Sequence, residues 1–111
     1  MVRPTEFKIA HRVTDAGVTL KVTGELDLST APVLGESIGA LRRDVKAVTV
    51  DLSELTFMDS TGLRLLIELD HRAKQEEWEL ALIRPRYETA AAVLKATGAD
   101  SALPFEDAPE P

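Results

Sequence analysis

The sequence predicts a single α/β domain with a mixed, mostly parallel sheet that begins with a β-hairpin. Residues 18–23 alternate apolar and polar side chains, which is typical of a half-buried strand. Short apolar runs at 47–52 and 78–83 are also strand-like, and segments with helical spacing of apolar residues separate these runs. Because strands that alternate with helices favour parallel neighbours and right-handed crossovers, we expect the order β-β-α-β-α-β-α with three main helices.

The N-terminal hairpin is predicted from two strand patterns and the turn between them. Residues 6–13 form the first pattern and residues 18–23 the second. The sequence DAG at 15–17 is a turn signal. The two runs therefore predict a β-hairpin, and residues 24–27 close its second strand.

The first helix is predicted to begin near Ser29 and Thr30, whose hydroxyls are suited to capping, with Pro32 in its first turn. Apolar residues then recur at helical spacing from 34 to 41. Two arginines at 42–43 fall in the last turn, where cations complement the helix dipole. These signals together predict the start and the end of one amphipathic helix.

The remaining elements follow from shorter patterns. The run at 47–52 is β-branched and mostly apolar, which predicts a central strand buried on both faces. The strand at 78–83 is broken by the Arg-Pro pair that follows it, and a third helix ends at Gly98, a C-cap signal. Residues 103–105 are compatible with a last edge strand, because proline is tolerated at sheet edges.

The second helix follows a short loop and extends from Ser60 to about Glu76. Arg64, Glu68 and Arg72 are spaced by four, which indicates a solvent-facing charge ladder. Leu65 and Leu69 lie between the charged and apolar faces, so they either widen the core stripe or form a partner-binding edge. The residues expected to point toward the core are Leu63, Leu66, Ile67, Asp70 and Ala73.

The chain divides into one domain and two short ends. Its 111 residues fit a single compact domain, and no internal repeat is present. We expect residues 1–5 to be a flexible N-terminus and residues 6–105 to form the domain. Residues 106–111 are acidic and contain proline, so we expect a disordered tail.

The composition excludes several classes of protein. The chain has no cysteine, which removes disulfides, thiolate nucleophiles and cysteine-ligated metals. Its net charge of −6 argues against direct nucleic-acid binding and fits a partner with a basic surface. No apolar run approaches the ~20 residues that span a bilayer, and the N-terminus is too polar for a signal peptide. We therefore expect a cytoplasmic protein with no membrane segment.

Acidic residues at the strand ends raise one catalytic alternative. A metal-dependent phosphoacceptor aspartate would use such oxygens to bind Mg²⁺. The chain opens with a hairpin rather than a lone strand, however, and no lysine follows the last strand to hold a phosphate. Helix capping by these acids is therefore favoured, and no metal or cofactor is expected. The acids are Glu25, Asp27, Asp51 and Asp59.

A catalytic serine also lacks support in the sequence. An activated serine needs a base within hydrogen-bond reach. His11 lies on the first strand, and His71 lies eleven positions along the helix that Ser60 starts, about 16 Å away. No glycine-rich phosphate-binding loop is present either. The chain is therefore expected not to be an enzyme and to have no catalytic residues.

Residues 57–63, FMDSTGL, are the most informative stretch of the chain. They place two hydroxyls and a glycine where strand-like sequence gives way to a helix. Free N–H groups and the positive dipole end make a helix start suited to a phosphate group. The plain alternative is that Asp59 or Ser60 only caps the helix.

Three motifs carry a resemblance to a known family. Residues 24–27 (GELD), 51–53 (DLS) and 57–63 resemble, in order and spacing, the motifs of STAS-domain anti-sigma factor antagonists, also called anti-anti-sigma factors. The resemblance runs from about Phe7 to Phe105 and includes the helix end at 93–98. It implies a STAS-like fold and a partner-switching role in bacterial transcription.

The resemblance also implies partners and a switch. Members bind an anti-sigma factor that is also a serine kinase, and so release a sigma factor. The kinase phosphorylates the serine after the motif aspartate, which corresponds to Ser60, and phosphorylation breaks the complex. A PP2C-type phosphatase restores it. The alternative is a STAS subunit of a larger assembly, such as a lipid-transport or stress-signalling complex, in which Ser60 is structural.

The remaining site residues are expected around Ser60. Arg64 departs from the family pattern, because many members have glycine at this position. The residues expected to line the site are Asp27, Asp59, Thr61 and Gly62. The residues expected to border the docking surface are Glu25, Arg64, Leu65, Glu68 and Leu69.

Overall fold

The computed structural model describes residues 6–41 and 43–108. The proposed flexible N-terminus at 1–5, the first arginine of the pair at 42–43, and residues 109–111 of the proposed tail lie outside the described residues.

The described chain forms one mixed sheet with helices between its strands. The strands are β1 (Lys8–Thr14), β2 (Gly17–Leu26), β3 (Ala47–Asp51), β4 (Leu55–Met58), β5 (Glu79–Ile83) and β6 (Phe105–Glu106). The helices are α1 (Ala31–Leu41), α2 (Ser60–Glu76), α3 (Glu88–Thr97) and α4 (Ala99–Ala102). The sheet order is β1-β2-β3-β5-β6, with β4 paired to β2. Only β1 and β2 are antiparallel among these pairs, so the predicted mostly parallel sheet with an N-terminal hairpin is confirmed.

Strand β2 connects the two parts of the sheet. Its first half pairs in parallel with β3, from Val18 opposite Val48 onward. Its last residues pair in parallel with β4, and the register shifts at Gly24. Gly24 has φ of 96°, and a Cβ there would lie 2.8 Å from the Cα of Phe7, so glycine is required. The shift brings the end of β2 beside the strand that leads into α2.

The core lies on one face of this sheet. Along β2, buried residues alternate with half-buried or exposed ones, as expected for a sheet covered on one side. Helices α1 and α2 supply the facing apolar side chains, including Leu34, Ile38 and Leu66, each fully buried. On the open face, Lys21 of β2 and Glu54 form an ion pair of 3.1 Å. The domain is therefore a two-layer structure with one polar sheet face.

Strand β3 corrects one expectation from the sequence. It is central, as predicted, but only Val48 and Val50 are buried, and the residues between and beside them are half-buried. The expectation of burial on both faces was wrong, because none of the helices formed by residues 6–41 and 43–108 covers the other face of β3.

Two short elements were absent from the predicted order. Strand β4 has four residues and helix α4 has four, which is too short for a periodic pattern to indicate either. The predicted edge strand near 103–105 is present as β6, which pairs in parallel with β5. Glu106 belongs to β6, and Asp107 accepts a 2.9 Å hydrogen bond from the guanidinium of Arg84, so both are held to the domain rather than free of it.

Helix α2 has the predicted bounds but a rotated apolar face. Leu63, Leu66 and Ala73 are buried, as expected. Leu69, expected at an exposed docking edge, is only 2% exposed and belongs to the core. Ile67, expected in the core, is 49% exposed. Both expectations were wrong, because the centre of the helix surface that packs against the sheet lies closer to Leu69 than to Ile67.

Candidate functional site

Asp59 caps the second helix. Its backbone is extended, and its Oδ1 accepts hydrogen bonds from the N–H groups of Thr61 at 2.9 Å and Gly62 at 3.3 Å. Its own N–H donates to the carbonyl oxygen of Leu26 at 3.3 Å, which joins the helix start to the end of β2. The capping role that the sequence left open between Asp59 and Ser60 therefore belongs to Asp59.

Ser60 is the first residue of α2 and is exposed. Its hydroxyl makes no hydrogen bond within residues 6–41 and 43–108. Thr61, the neighbouring hydroxyl, is half-buried and β-branched, which restricts its side-chain rotation. Of the two hydroxyls, the one on Ser60 is therefore more accessible to a second protein.

Gly62 allows the helix start and the strand end to approach closely. A Cβ at this position would lie 2.7 Å from the Cγ of Met58 and 2.9 Å from the carbonyl oxygen of Leu26. Real Cβ atoms do not reach such distances, so any larger residue would push α2 away from β2. The glycine of the DSTG sequence thus fixes where Ser60 is presented.

Asp27 lies in the loop after β2, beside the start of α2. Leu26 and Met58 are register partners, so Asp27 and Asp59 each follow a paired strand residue. The Oδ1 of Asp27 accepts hydrogen bonds from the hydroxyl of Ser29 at 2.8 Å and from its N–H at 3.0 Å. The N–H and hydroxyl of Thr30 add two more at 3.2 Å. The Ser29 hydroxyl, together with these backbone donors, lowers the pKa of Asp27, which keeps the carboxylate ionised.

An open groove of about 460 Å³ runs between α1 and α2. Thr61 and Arg64 line its end next to Ser60. Its apolar lining includes Leu28, which is 77% exposed and which the sequence did not single out. The other lining residues are Ala31, Pro32, Gly35, Glu36, Leu65, Glu68 and Arg72. An apolar floor with charged rims suits a protein partner better than a small polar ligand.

The exposed face of α2 continues from Ser60 along the helix. Arg64, Ile67, Glu68 and His71 are all exposed and lie four, seven, eight and eleven positions after Ser60. At 3.6 residues per turn, these spacings place them on the same side of the helix as Ser60. Ile67 is an apolar residue on this face, and its spacing of seven from Ser60 is the sequence signal that could have identified it.

The structure brings most of the expected docking residues together, with two exceptions. Arg64, Leu65 and Glu68 all line the groove. Leu69 is excluded by its burial. Glu25 is half-buried and alternates with the buried Leu26, so it lies on the open sheet face, away from the groove.

The acid at the end of β3 makes a local contact. Asp51 accepts a 2.9 Å hydrogen bond from the N–H of Ser53, which is a local turn contact. Within the described part of the chain, no three histidine, cysteine or acidic residues are grouped so that they could hold a metal ion.

Among the described helices, none combines the length and apolar character that spanning a membrane requires.

Comparison with known proteins gives a consistent result. A family model described as "Mlab, STAS domain" matches residues 9–104. The anti-sigma-B factor antagonist of Staphylococcus aureus (strain NCTC 8325 / PS 47) is 37% identical over 78 residues, which are 69% of this chain and 72% of that protein.

Solved structures share the architecture. The crystal structure of an anti-sigma factor antagonist from Mycobacterium paratuberculosis has a TM-score of 0.78 at 26% identity, covering 95% of this chain and 89% of that chain. The anti-sigma factor antagonist SpoIIAA, a Bacillus cell fate determinant, is 22% identical in both of its solved forms. For its unphosphorylated form the TM-score is 0.73, and the match covers 95% of this chain and 90% of that chain. For its phosphorylated form the TM-score is 0.68, and the match covers 95% of this chain and 93% of that chain. At this identity, the similarity to SpoIIAA shows the fold alone.

Proposed function

The chain belongs to the STAS-domain family of anti-sigma factor antagonists, and we propose that it is a phosphorylation-controlled member of that family. In this proposal it binds an anti-sigma factor that is also a serine kinase and thereby releases a sigma factor. Phosphorylation of Ser60 by that kinase inactivates it, and a PP2C-type phosphatase restores it. The cycle takes place in the cytoplasm.

The observation that supports this proposal most strongly is that the hydroxyl of Ser60 is exposed and that Asp59, not Ser60, caps the helix. Because Asp59 already accepts from the N–H groups of Thr61 and Gly62, Ser60 has no role in closing the helix end. An exposed serine at a helix start that makes no hydrogen bond within residues 6–41 and 43–108 is open to a kinase. This supports a modification site more than a structural residue.

The partner would dock on the groove and the exposed face of α2. Arg64 and Glu68 supply charge there, Leu65 lines the groove, and Ile67 adds an exposed apolar side chain. Ile67 lies about 10 Å along the helix from Ser60, at 1.5 Å per residue. Since salt screens charges over ~8–10 Å, a charge on Ser60 would act most strongly on partner groups nearer than Ile67.

Phosphorylation would change this surface without refolding it. A phosphate on Ser60 adds roughly −1.5 to −2 charges beside Asp59 and at the end of the groove. Acidic groups of a docked partner would be repelled, and apolar groups would meet a hydrated dianion. Where the partner faces Ser60 with acidic or apolar groups, the added charge alone can block docking.

The protein acts in this scheme as a substrate and a binding partner, not as an enzyme. A serine nucleophile needs a base, and His71, on the same helix, lies about 16 Å from Ser60. The hydroxyl of Ser60 accordingly has no activating group on its own helix within reach.

The direct test is phosphorylation by candidate anti-sigma factor kinases. The purified protein is incubated with each kinase and ATP, and the modified residue is mapped by mass spectrometry. We expect phosphate on Ser60, little on Thr61, and none in a Ser60→Ala variant that still binds the kinase. Modification chiefly on Thr61, or on neither hydroxyl by any kinase that binds the chain, contradicts the proposal. The second of these outcomes would favour a STAS subunit of a larger assembly instead.

A further inference from the structure

Arg64 is an exposed cation one helical turn after Ser60. Its side chain is exposed and lines the groove end next to Thr61. In the part of the chain that the structure describes, Arg64 forms no ion pair; Glu68 lies four positions after it, in the less favourable order of a base before an acid. On the same helix, by contrast, Asp70 and Lys74 at the same spacing form an ion pair of 3.0 Å.

The spacing of Ser60 and Arg64 is the one at which helical side chains meet. Residues four apart have Cβ atoms about 5–6 Å from each other, and an acid that precedes a base is the better orientation. A guanidinium has a planar fork of donors that binds phosphate oxygens in pairs. A phosphate dianion on Ser60 would also attract Arg64 more strongly than the single charge of Glu68 does.

We propose that Arg64 binds the phosphoryl group on phosphorylated Ser60 and that phosphorylation thereby withdraws this cation from the docking face. The inference rests on the proposed function, in which Ser60 is the modified residue. Two changes then coincide in the modified protein: a dianion appears at the end of the groove, and the free guanidinium at its rim is lost to the partner.

The acids around Ser60 would repel a phosphate, and two of them already accept hydrogen bonds within the chain. The carboxylate of Asp59 is engaged by the helix N–H groups, and that of Asp27 by Ser29 and Thr30. These two acids and Glu68 would raise the second pKa of the phosphate, and Arg64 would lower it. Arg72 lies twelve positions from Ser60, about 18 Å along the helix, which makes it a matched control.

The test installs phosphoserine at position 60 genetically, so that no kinase is needed. The second pKa of the phosphate is measured by ³¹P NMR titration in the otherwise unchanged protein, in Arg64→Gln and in Arg72→Gln. We expect Arg64→Gln to raise this pKa by about 0.3 units, the worth of one helical ion pair at this spacing, and Arg72→Gln to leave it unchanged. Circular dichroism checks that all three proteins are folded.

A second readout reports the contact itself. The Nε–H signal of Arg64 should shift and exchange more slowly in the phosphorylated protein than in the unphosphorylated one. An unchanged phosphate pKa in Arg64→Gln, an equal shift in Arg72→Gln, or an unaltered Nε–H signal would overturn the inference. Because the phosphate is installed without a kinase, these results are independent of whether a kinase modifies Ser60.

Discussion

Asp59 and Ser60 divide two roles between neighbouring residues at the start of α2. Asp59 closes the helix end by accepting hydrogen bonds from two N–H groups, and Ser60 presents an exposed hydroxyl to solvent. Asp59→Ala should therefore lower the free energy of unfolding by about 0.5–2 kcal/mol, the usual worth of a cap. Ser60→Ala should change it by less than about 0.5 kcal/mol, as is usual for surface positions.

Urea denaturation of the two variants measures this difference. If Ser60→Ala proved as destabilising as Asp59→Ala, the serine would have a structural role, and the assignment of Ser60 as a free modification site would be wrong.

Asp27 gives the site a pH-dependent contribution to stability. The Ser29 hydroxyl and the N–H groups of Ser29 and Thr30 lower the pKa of Asp27 below the ordinary value of 3.8. A lowered folded-state pKa means that the stabilisation is complete above 3.8 and is lost as the pH falls through the lowered value. Asp27→Asn should thus be less stable than wild type at pH 7, and the difference in free energy of unfolding between the two proteins should decrease below pH 3.8. A gap of the same size at both pH values, by urea denaturation, would contradict this account.

At the scale of the element, α2 carries core residues on one side and the proposed docking face on the other. Leu69 is buried and Ile67 is half-exposed, so these two apolar residues form a matched pair. Ile67→Glu should weaken kinase binding and leave the free energy of unfolding nearly unchanged. Leu69→Ala should instead destabilise the fold by about 2–5 kcal/mol through loss of core packing.

Calorimetric titration with the kinase and urea denaturation separate the two effects. Unimpaired binding by a folded Ile67→Glu variant would place the docking surface elsewhere, for example toward the loop at 24–27.

The same pair shows where prediction from sequence reaches its limit. The spacing of the leucines predicts an amphipathic helix with the observed bounds, Ser60–Glu76. The spacing does not determine which side of the helix is most deeply buried. Ile67 and Leu69 lie on opposite edges of the apolar face, so a small rotation of the helix buries one and exposes the other. Only the packing of α2 against the sheet decides that Leu69 faces inward. Strand β4 was missed for a related reason, because four residues are too few for a period.

At the scale of the whole molecule, the fold was predictable because its strands alternate with helices. The hairpin, the central β3 and the parallel pairing all follow from local patterns. The position of the candidate site does not, because it depends on β4 joining β2 and on Gly62 allowing α2 to approach Leu26. The motif residues indicated Ser60 as the candidate modification site, whereas the groove between α1 and α2 could be found only from the tertiary structure.

The arrangement also predicts that the switch leaves the fold intact. A carboxylate at position 60 would lie at the positive end of the α2 dipole, so Ser60→Asp should remain folded. It adds about one charge where phosphate adds roughly two, so it should reproduce only part of the phosphorylated state. Circular dichroism and urea denaturation should give wild-type behaviour, and a large loss of stability would contradict a switch that acts by surface charge.

Binding of the cognate anti-sigma factor kinase to the protein with phosphoserine at position 60 tests the central claim most directly. Calorimetric titration would compare this protein with the unphosphorylated chain and Ser60→Asp, each at low and high salt. We expect phosphoserine to weaken binding more than tenfold, or about 1.4 kcal/mol, with Ser60→Asp between the two. High salt should recover part of the loss if repulsion dominates. Equal affinity of the phosphorylated and unphosphorylated proteins at both salt concentrations would contradict the account.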